Sequence, residues 1–178
     1  MPIRFPQETG LQDGRRVIIR PFTVRDADDL HEFFRTLPET TKRGAWDRID
    51  ARETVDSWVQ ELDQESDVSL LAIDGIKIVA DASLHYRRYG PLRRVGRVKW
   101  LIDPEWVDIG VGVALVTNFI QMARDNGLSH LTCMLVDKLE DESASTLRRM
   151  GFDEYRIPGY GLDPDGKQRD MLKMVLTL

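Results

Sequence analysis

Residues 98–114, VKWLIDPEWVDIGVGVA, limit what this chain can fold into more than any other segment. Residues 98–102 are an apolar run of strand type that stops at Asp103-Pro104, because a residue without an N–H cannot extend a sheet ladder. Gly110 and Gly112 stand one residue apart, so torsions that a side chain resists become accessible and a ligand can approach the main chain. Helical spacing begins near Gly112. The turn is therefore followed by amides without partners and by the positive end of a helix dipole, worth roughly 0.3–1 kcal/mol toward an anion at an exposed terminus. The guest that suits such a turn is a phosphate or pyrophosphate. A Gly-x-Gly pair alone also serves as a ligand-free tight turn, and it is the upstream strand and proline with the downstream helix that favour binding.

The rest of the chain frames this turn. Residues 17–20 read as a short strand, and Thr23 with Asp26 opens a helix on which Ala27, Leu30, Phe33, Phe34 and Leu37 make one apolar face. A second helix is expected from 50 or 51 to about 62, since Val55, Trp58, Val59 and Leu62 recur at helical spacing. Residues 38–49, including Trp46, read as a polar connection between them. Asp74-Gly75 between two apolar runs predicts a hairpin, with a strand continuing to about Tyr86 and a further turn at Tyr89-Gly90-Pro91 leading into 95–102. A helix over 113–126 stops at Gly127, and a strand over 129–136 and a short helix over 143–150 follow. A loop with Gly159, Gly161, Pro164 and Gly166 leads to a closing strand over 171–176. The sum is an α+β fold: a mixed, mostly antiparallel central sheet of about six to seven strands flanked by about four helices.

Composition narrows the function. The chain has 178 residues, enough for one core, and is expected to form a single unit over 1–178 with residues 1–14 as an irregular arm. Its 25 basic and 30 acidic residues give a net charge of −5, which argues against broad attraction to nucleic acid or an anionic membrane. No apolar run reaches the roughly 20 residues that span a bilayer, and the start lacks a secretory stretch, so a cytoplasmic location is expected. Cys133, the one cysteine, lies in an apolar run and reads as a buried, inert thiol. His31, His85 and His130 lack metal-ligand spacing, and no metal is expected. Oligomerisation is compatible with the sequence.

The order Ile102-Asp103-Pro104, Gly110-Val111-Gly112 and Arg149-Met150-Gly151-Phe152 resembles the GCN5-related N-acetyltransferases, the GNAT superfamily. Ile19-Arg20-Pro21, residues 33–38 and Trp106 look like the branch that contains bacterial protein-lysine acetyltransferases. The resemblance, which covers nearly all of 17–178, implies that acetyl-CoA or another acyl-CoA donates an acyl group directly to an amine of a small molecule or protein. It implies that the main chain at Leu101 and Ile102 orients the acyl arm. It also implies that the backbone of Val107, Asp108, Ile109, Gly110, Val111, Gly112 and Val113 holds the pyrophosphate, and that residues 38–49 shape the acceptor cleft.

Three positions depart from the family's pattern. Where Arg or Gln usually opens the phosphate turn this chain has Val107, followed by Asp108, which repels a phosphate that it faces, so binding leans on backbone amides. The frequent catalytic glutamate falls on Arg97, which cannot act as a base at neutral pH, and the frequent general-acid tyrosine falls on Leu147. The usual base and acid are thus absent, and the catalytic residues stay unassigned. Arg97 and Lys99 share one strand face by alternation. They either pair with an acid such as Asp81 or face the cleft, where they would select an acceptor bearing an anionic group. Arg87, Arg88, Arg93 and Arg94 read as a solvated hairpin tip, and His85 and Glu105 are remote base candidates. The rival to an enzyme is a catalytically degenerate acyl-CoA-binding or regulatory domain.

Overall fold

A computed structural model describes residues 4–45, 47–61, 67–163 and 165–178. Trp46, Leu62 and Pro164 lie outside the described residues. Among the described residues eight strands form one sheet: β1 (Gln7–Gly10), β2 (Arg16–Pro21), β3 (Asp67–Asp74), β4 (Lys77–Tyr86), β5 (Val95–Ile102), β6 (His130–Val136), β7 (Asp153–Leu162) and β8 (Gln168–Thr177). Their order is β1-β2-β3-β4-β5-β6-β8-β7, antiparallel except for the β5–β6 pair. The helices are α1 (Ala27–Thr36), α2 (Glu39–Lys42), α3 (Arg52–Glu61), α4 (Val111–Asp125) and α5 (Asp141–Arg149). The mixed, mostly antiparallel α+β architecture agrees with the expectation, with one strand and one helix more.

The additions lie where side-chain pattern is silent. Residues 7–10 do not form an irregular arm but β1, which pairs with β2 from Gln7↔Ile19 to Gly10↔Arg16. Main-chain hydrogen bonds hold such an edge strand without an apolar face. Likewise Pro158, Gly159 and Gly161 belong to β7 rather than to a loop. It is an edge strand whose register shifts between Ile157 and Gly161, the setting in which a sheet accepts proline. A third difference is α2, one helical turn within the connection over 38–49. The β3–β4 hairpin is also centred one residue later than expected, on Gly75-Ile76, because Asp74 pairs with Lys77.

The sheet separates two cores. On one face α4 and α5 pack Leu115, Val116, Phe119 and Leu147 against Val98, Trp100, Leu131 and Met174. On the other, α1 and α3 pack Leu30, Phe34 and Val55 against Leu71, Ile73 and Leu101. Alternation along β5 thus sends Trp100 to the first core and Leu101 to the second. Cys133 is buried and free, as its apolar run implied, and burial pushes its thiol up to about 12. No helix among the described residues is long and apolar enough to cross a membrane.

Candidate active site

The glycine turn is built as its sequence implies, with the two glycines in different roles. Asp103 accepts a hydrogen bond from the Glu105 N–H at 3.1 Å, which starts a 3-10 turn over Pro104–Trp106. Trp106 is buried under the Arg15 guanidinium, 4.0 Å from the ring centroid, and Arg15 also donates to the Glu105 carbonyl at 2.9 Å. Asp108 has φ +60° and Gly110, the residue capping α4, has φ +104°, a torsion that glycine adopts without strain. Gly112 serves by close approach: a Cβ there would lie 3.4 Å from Ile102 Cδ1. Gly110 carries no side chain to cap α4, so the amides of Val111, Gly112 and Val113 open the helix without partners from within it. Gln12, in the arm, donates its N–H to the Ile109 carbonyl at 3.0 Å and braces the turn from behind.

A cleft of about 840 Å³ opens in front of these amides. Its walls include Trp100, Leu101 and Ile102 of β5, the turn at Val107, Asp108, Gly110 and Gly112, and the first residues of α5. It exists because the parallel ladder between β5 and β6 ends at Arg97↔Thr132, after which the two strands separate. The edge of β5 over 98–102 that faces β6 therefore has no paired strand among the described residues. Arg149 at the end of α5 lines the same cleft, its Nη2 4.0 Å from Asp108 Oδ1. This places a guanidinium beside a turn whose own sequence has none. No local motif announces it, because 41 residues separate the two positions.

Lys99 and Arg97 part company. Lys99 is buried and donates from Nζ to Glu140 Oε1 at 2.5 Å, while Glu140 Oε2 accepts the Val136 N–H at 2.8 Å. This ion pair spans the gap between the separating strands, and the charge of Lys99 is already matched. Arg97 is exposed and borders a different, shallow cleft with Thr132, Met134 and Tyr160. Leu147 is fully buried in the core, so nothing there replaces a tyrosine hydroxyl.

Across β5 lies a second cavity of about 300 Å³ that shares Trp100 and Leu101 with the first. Phe22, Ile49 and Trp58 supply apolar wall, and Asp67, Asp81 and Lys99 supply charge. Asp81, opposite Leu101 in the β4–β5 register, is only 6% exposed, and its Oδ1 accepts one hydrogen bond, from Ser69 Oγ at 3.0 Å. Burial pushes its carboxyl up to about 7, with the Ser69 bond opposing. His85 Nδ1 lies 2.6 Å from Asp67 Oδ1 at the cavity's edge. The sequence pattern presents Asp81 only as a partner for Arg97 or Lys99. The signal that marks it out is an acid inside the otherwise apolar run over 78–82. Among the described residues no group of three or more His, Cys, Asp or Glu side chains is placed to hold a metal ion.

Two parallel strands that separate beside a partnerless helix start, with a large cleft on one side and a smaller cavity on the other, have the arrangement of a GNAT-type fold. The family model for the acetyltransferase (GNAT) domain matches residues 16–153, and the chain belongs to that family. Solved structures agree in fold. The GNAT domain of S. lividans PAT superposes with a TM-score of 0.81 at 18% identity, covering 100% of this chain and 99% of that one. The protein yncA from Salmonella typhimurium, solved with acetyl-CoA, gives 0.77 at 18% identity over 91% of this chain and 94% of that one. Mycobacterium smegmatis RimJ, in complex with CoA-disulfide, gives 0.76 at 18% identity over 97% and 88%. No functionally curated protein matches the chain by sequence.

Proposed function

We propose that this chain is an acyl-CoA-dependent N-acyltransferase, with acetyl-CoA as donor, that passes the acyl group directly to an amine. The observation that carries this reading is the meeting of two cavities at Trp100 and Leu101, one faced by open amides and the other lined by apolar and acidic side chains. The pyrophosphate lies on the amides from Val107 to Val113, with Arg149 supplying the cation that position 107 lacks. The acyl arm runs along the unpaired edge of β5, where main-chain groups of Leu101 and Ile102 orient it and an N–H near Ile102 polarises the thioester carbonyl. Holding amine and thioester in register supplies a large share of the roughly 7–11 kcal/mol that proximity makes available. Ile19-Arg20-Pro21, residues 33–38 and Trp106 support placement in the protein-lysine acetyltransferase-like branch.

A second reading, a CoA-binding domain without turnover, is favoured by one observation: Arg97 and Leu147 leave the family's usual base and acid positions without suitable side chains. Thermal melting with and without acetyl-CoA, followed by thiol release over a panel of amines, separates the two. Stabilisation with thiol release is expected. Stabilisation without release from any amine leaves the binding domain, and no stabilisation by any CoA ester overturns both.

A further inference from the structure

The smaller cavity carries its own chemistry. Its wall is apolar and aromatic at Phe22, Ile49 and Trp58, and Trp58 is held edge-on to Phe34 with ring centroids 5.6 Å apart. At its floor Asp81 is buried, yet its second oxygen, Oδ2, takes no hydrogen bond among the described residues. The charged groups around it come from several elements: Asp67 of β3, His85 of β4, Lys99 of β5, and Asp47 from the segment before α3. Lys99 is engaged by Glu140 and His85 lies against Asp67, so among the described residues the excess charge facing the cavity is negative.

Resting on the acyltransferase reading, we propose that this cavity is the acceptor pocket for a primary ammonium carried on an apolar or aromatic group, and that Asp81 takes the ammonium proton. Asp81 occupies the role for which position 97 has an arginine, from the neighbouring strand and directly across from Leu101. The cavity's volume suits one such group, and an aromatic wall residue such as Trp58 favours a cation as well as an apolar body. An acceptor bearing a carboxylate or phosphate, the choice suggested by Arg97 and Lys99 in the sequence, meets Asp47 and Asp81 instead.

The step balances without a further reactant. One proton passes from the ammonium to the Asp81 carboxylate, and the freed nitrogen lone pair forms the new C–N bond at the thioester carbonyl. As the resulting adduct collapses, its C–S bond breaks, the electron pair leaves with sulfur, and a second N–H proton ends on that sulfur to give the CoA thiol. Asp81 then releases its proton to water. The raised carboxyl suits the role of base, being substantially ionised just above neutral pH and basic enough to hold the proton it takes.

The test uses the full chain, acetyl-CoA, and two acceptors, 2-phenylethylamine and O-phosphoethanolamine. Asp81→Asn is expected to keep its thermal stabilisation by acetyl-CoA and to lose about 10²- to 10⁴-fold in kcat/KM for 2-phenylethylamine. Its remaining rate should rise with pH toward the amine's own pKa, whereas the wild type should show an inflection near 7. Ser69→Ala, a milder change, should move that inflection up by roughly one unit, because the carboxylate loses its donor. A purely structural role for Asp81 would not shift the profile this way. Trp58→Ala should raise KM and leave the inflection in place. A wild-type pH profile in Asp81→Asn, an unmoved inflection in Ser69→Ala, or preference for O-phosphoethanolamine overturns the proposal while the donor reading stands. Failure of acetyl-CoA to stabilise the wild type overturns both.

Discussion

Asp26 and Asp81 start as identical carboxylic acids, and the fold moves them in opposite directions. Asp26 accepts two hydrogen bonds from Arg20 at 2.7 Å each, and the Thr23 N–H and hydroxyl at 2.8 Å each, so the Arg20 guanidinium first and then Thr23 hold its carboxyl at about 2. Because the folded value lies below the unfolded one, this stabilisation is present above about pH 4 and is lost as pH falls through about 2. Asp26→Asn should cost about 1.5–3 kcal/mol in urea unfolding at pH 7, and much less near pH 2. Asp81 has the reverse sign: burial raises its folded value to about 7, so its contribution is complete below the ordinary carboxylate range and is lost as pH rises through about 7. The stability of Asp81→Asn relative to wild type should therefore increase between pH 5 and pH 8, as denaturant titrations at the two values would register. At the turn, Arg149→Gln should weaken acetyl-CoA binding about fivefold by calorimetry, the scale of one partly exposed charge contact. Asp26 was legible in the sequence as the acid three residues after Thr23. The charge environment of Asp81 was not, because it depends on which strands lie beside it.

Among the elements, the strand-turn-helix unit was the most legible, and its local chemistry explains why. A proline after an apolar run, two glycines and a helical repeat each act over a few residues, and β5 falls on the expected 95–102, while α4 begins at Val111, within two residues of expectation. The glycines differ in what they tolerate. Gly110→Ala forces a Cβ into φ +104° at a cost of roughly 1–2 kcal/mol, whereas Gly112→Val drives a branched side chain into Ile102. Both should weaken acetyl-CoA binding measured by calorimetry, and only Gly112→Val should also disturb the packing of Trp100, visible in near-ultraviolet dichroism. The strands that escaped the sequence, β1 and β7, are both at sheet edges. Their exposed residues follow no apolar alternation, and what makes them strands is a neighbour's main chain.

At the scale of the molecule, the Lys99–Glu140 pair ties the two separating strands together between the cavities. Its side chains are 8% and 14% exposed, so removing one partner leaves a buried charge unmatched. Glu140→Gln should cost about 3–5 kcal/mol by urea unfolding, and the double change Lys99→Met with Glu140→Leu should recover most of it, since a buried pair gains little over apolar packing. The two residues lie 41 positions apart, and only the fold brings them together. By itself the sequence determined the α+β class, the order of the central elements, the amide-lined turn and the burial of Cys133, because alternation, helical spacing, capping and glycine torsions are properties of short stretches. Tertiary structure alone decided that Arg149 stands beside Asp108, that Lys99 spends its charge on Glu140, and that Asp81 lies buried across from Leu101. Those outcomes depend on strand order and on where a parallel ladder ends, and both are settled by long-range packing of the two cores on either side of the sheet.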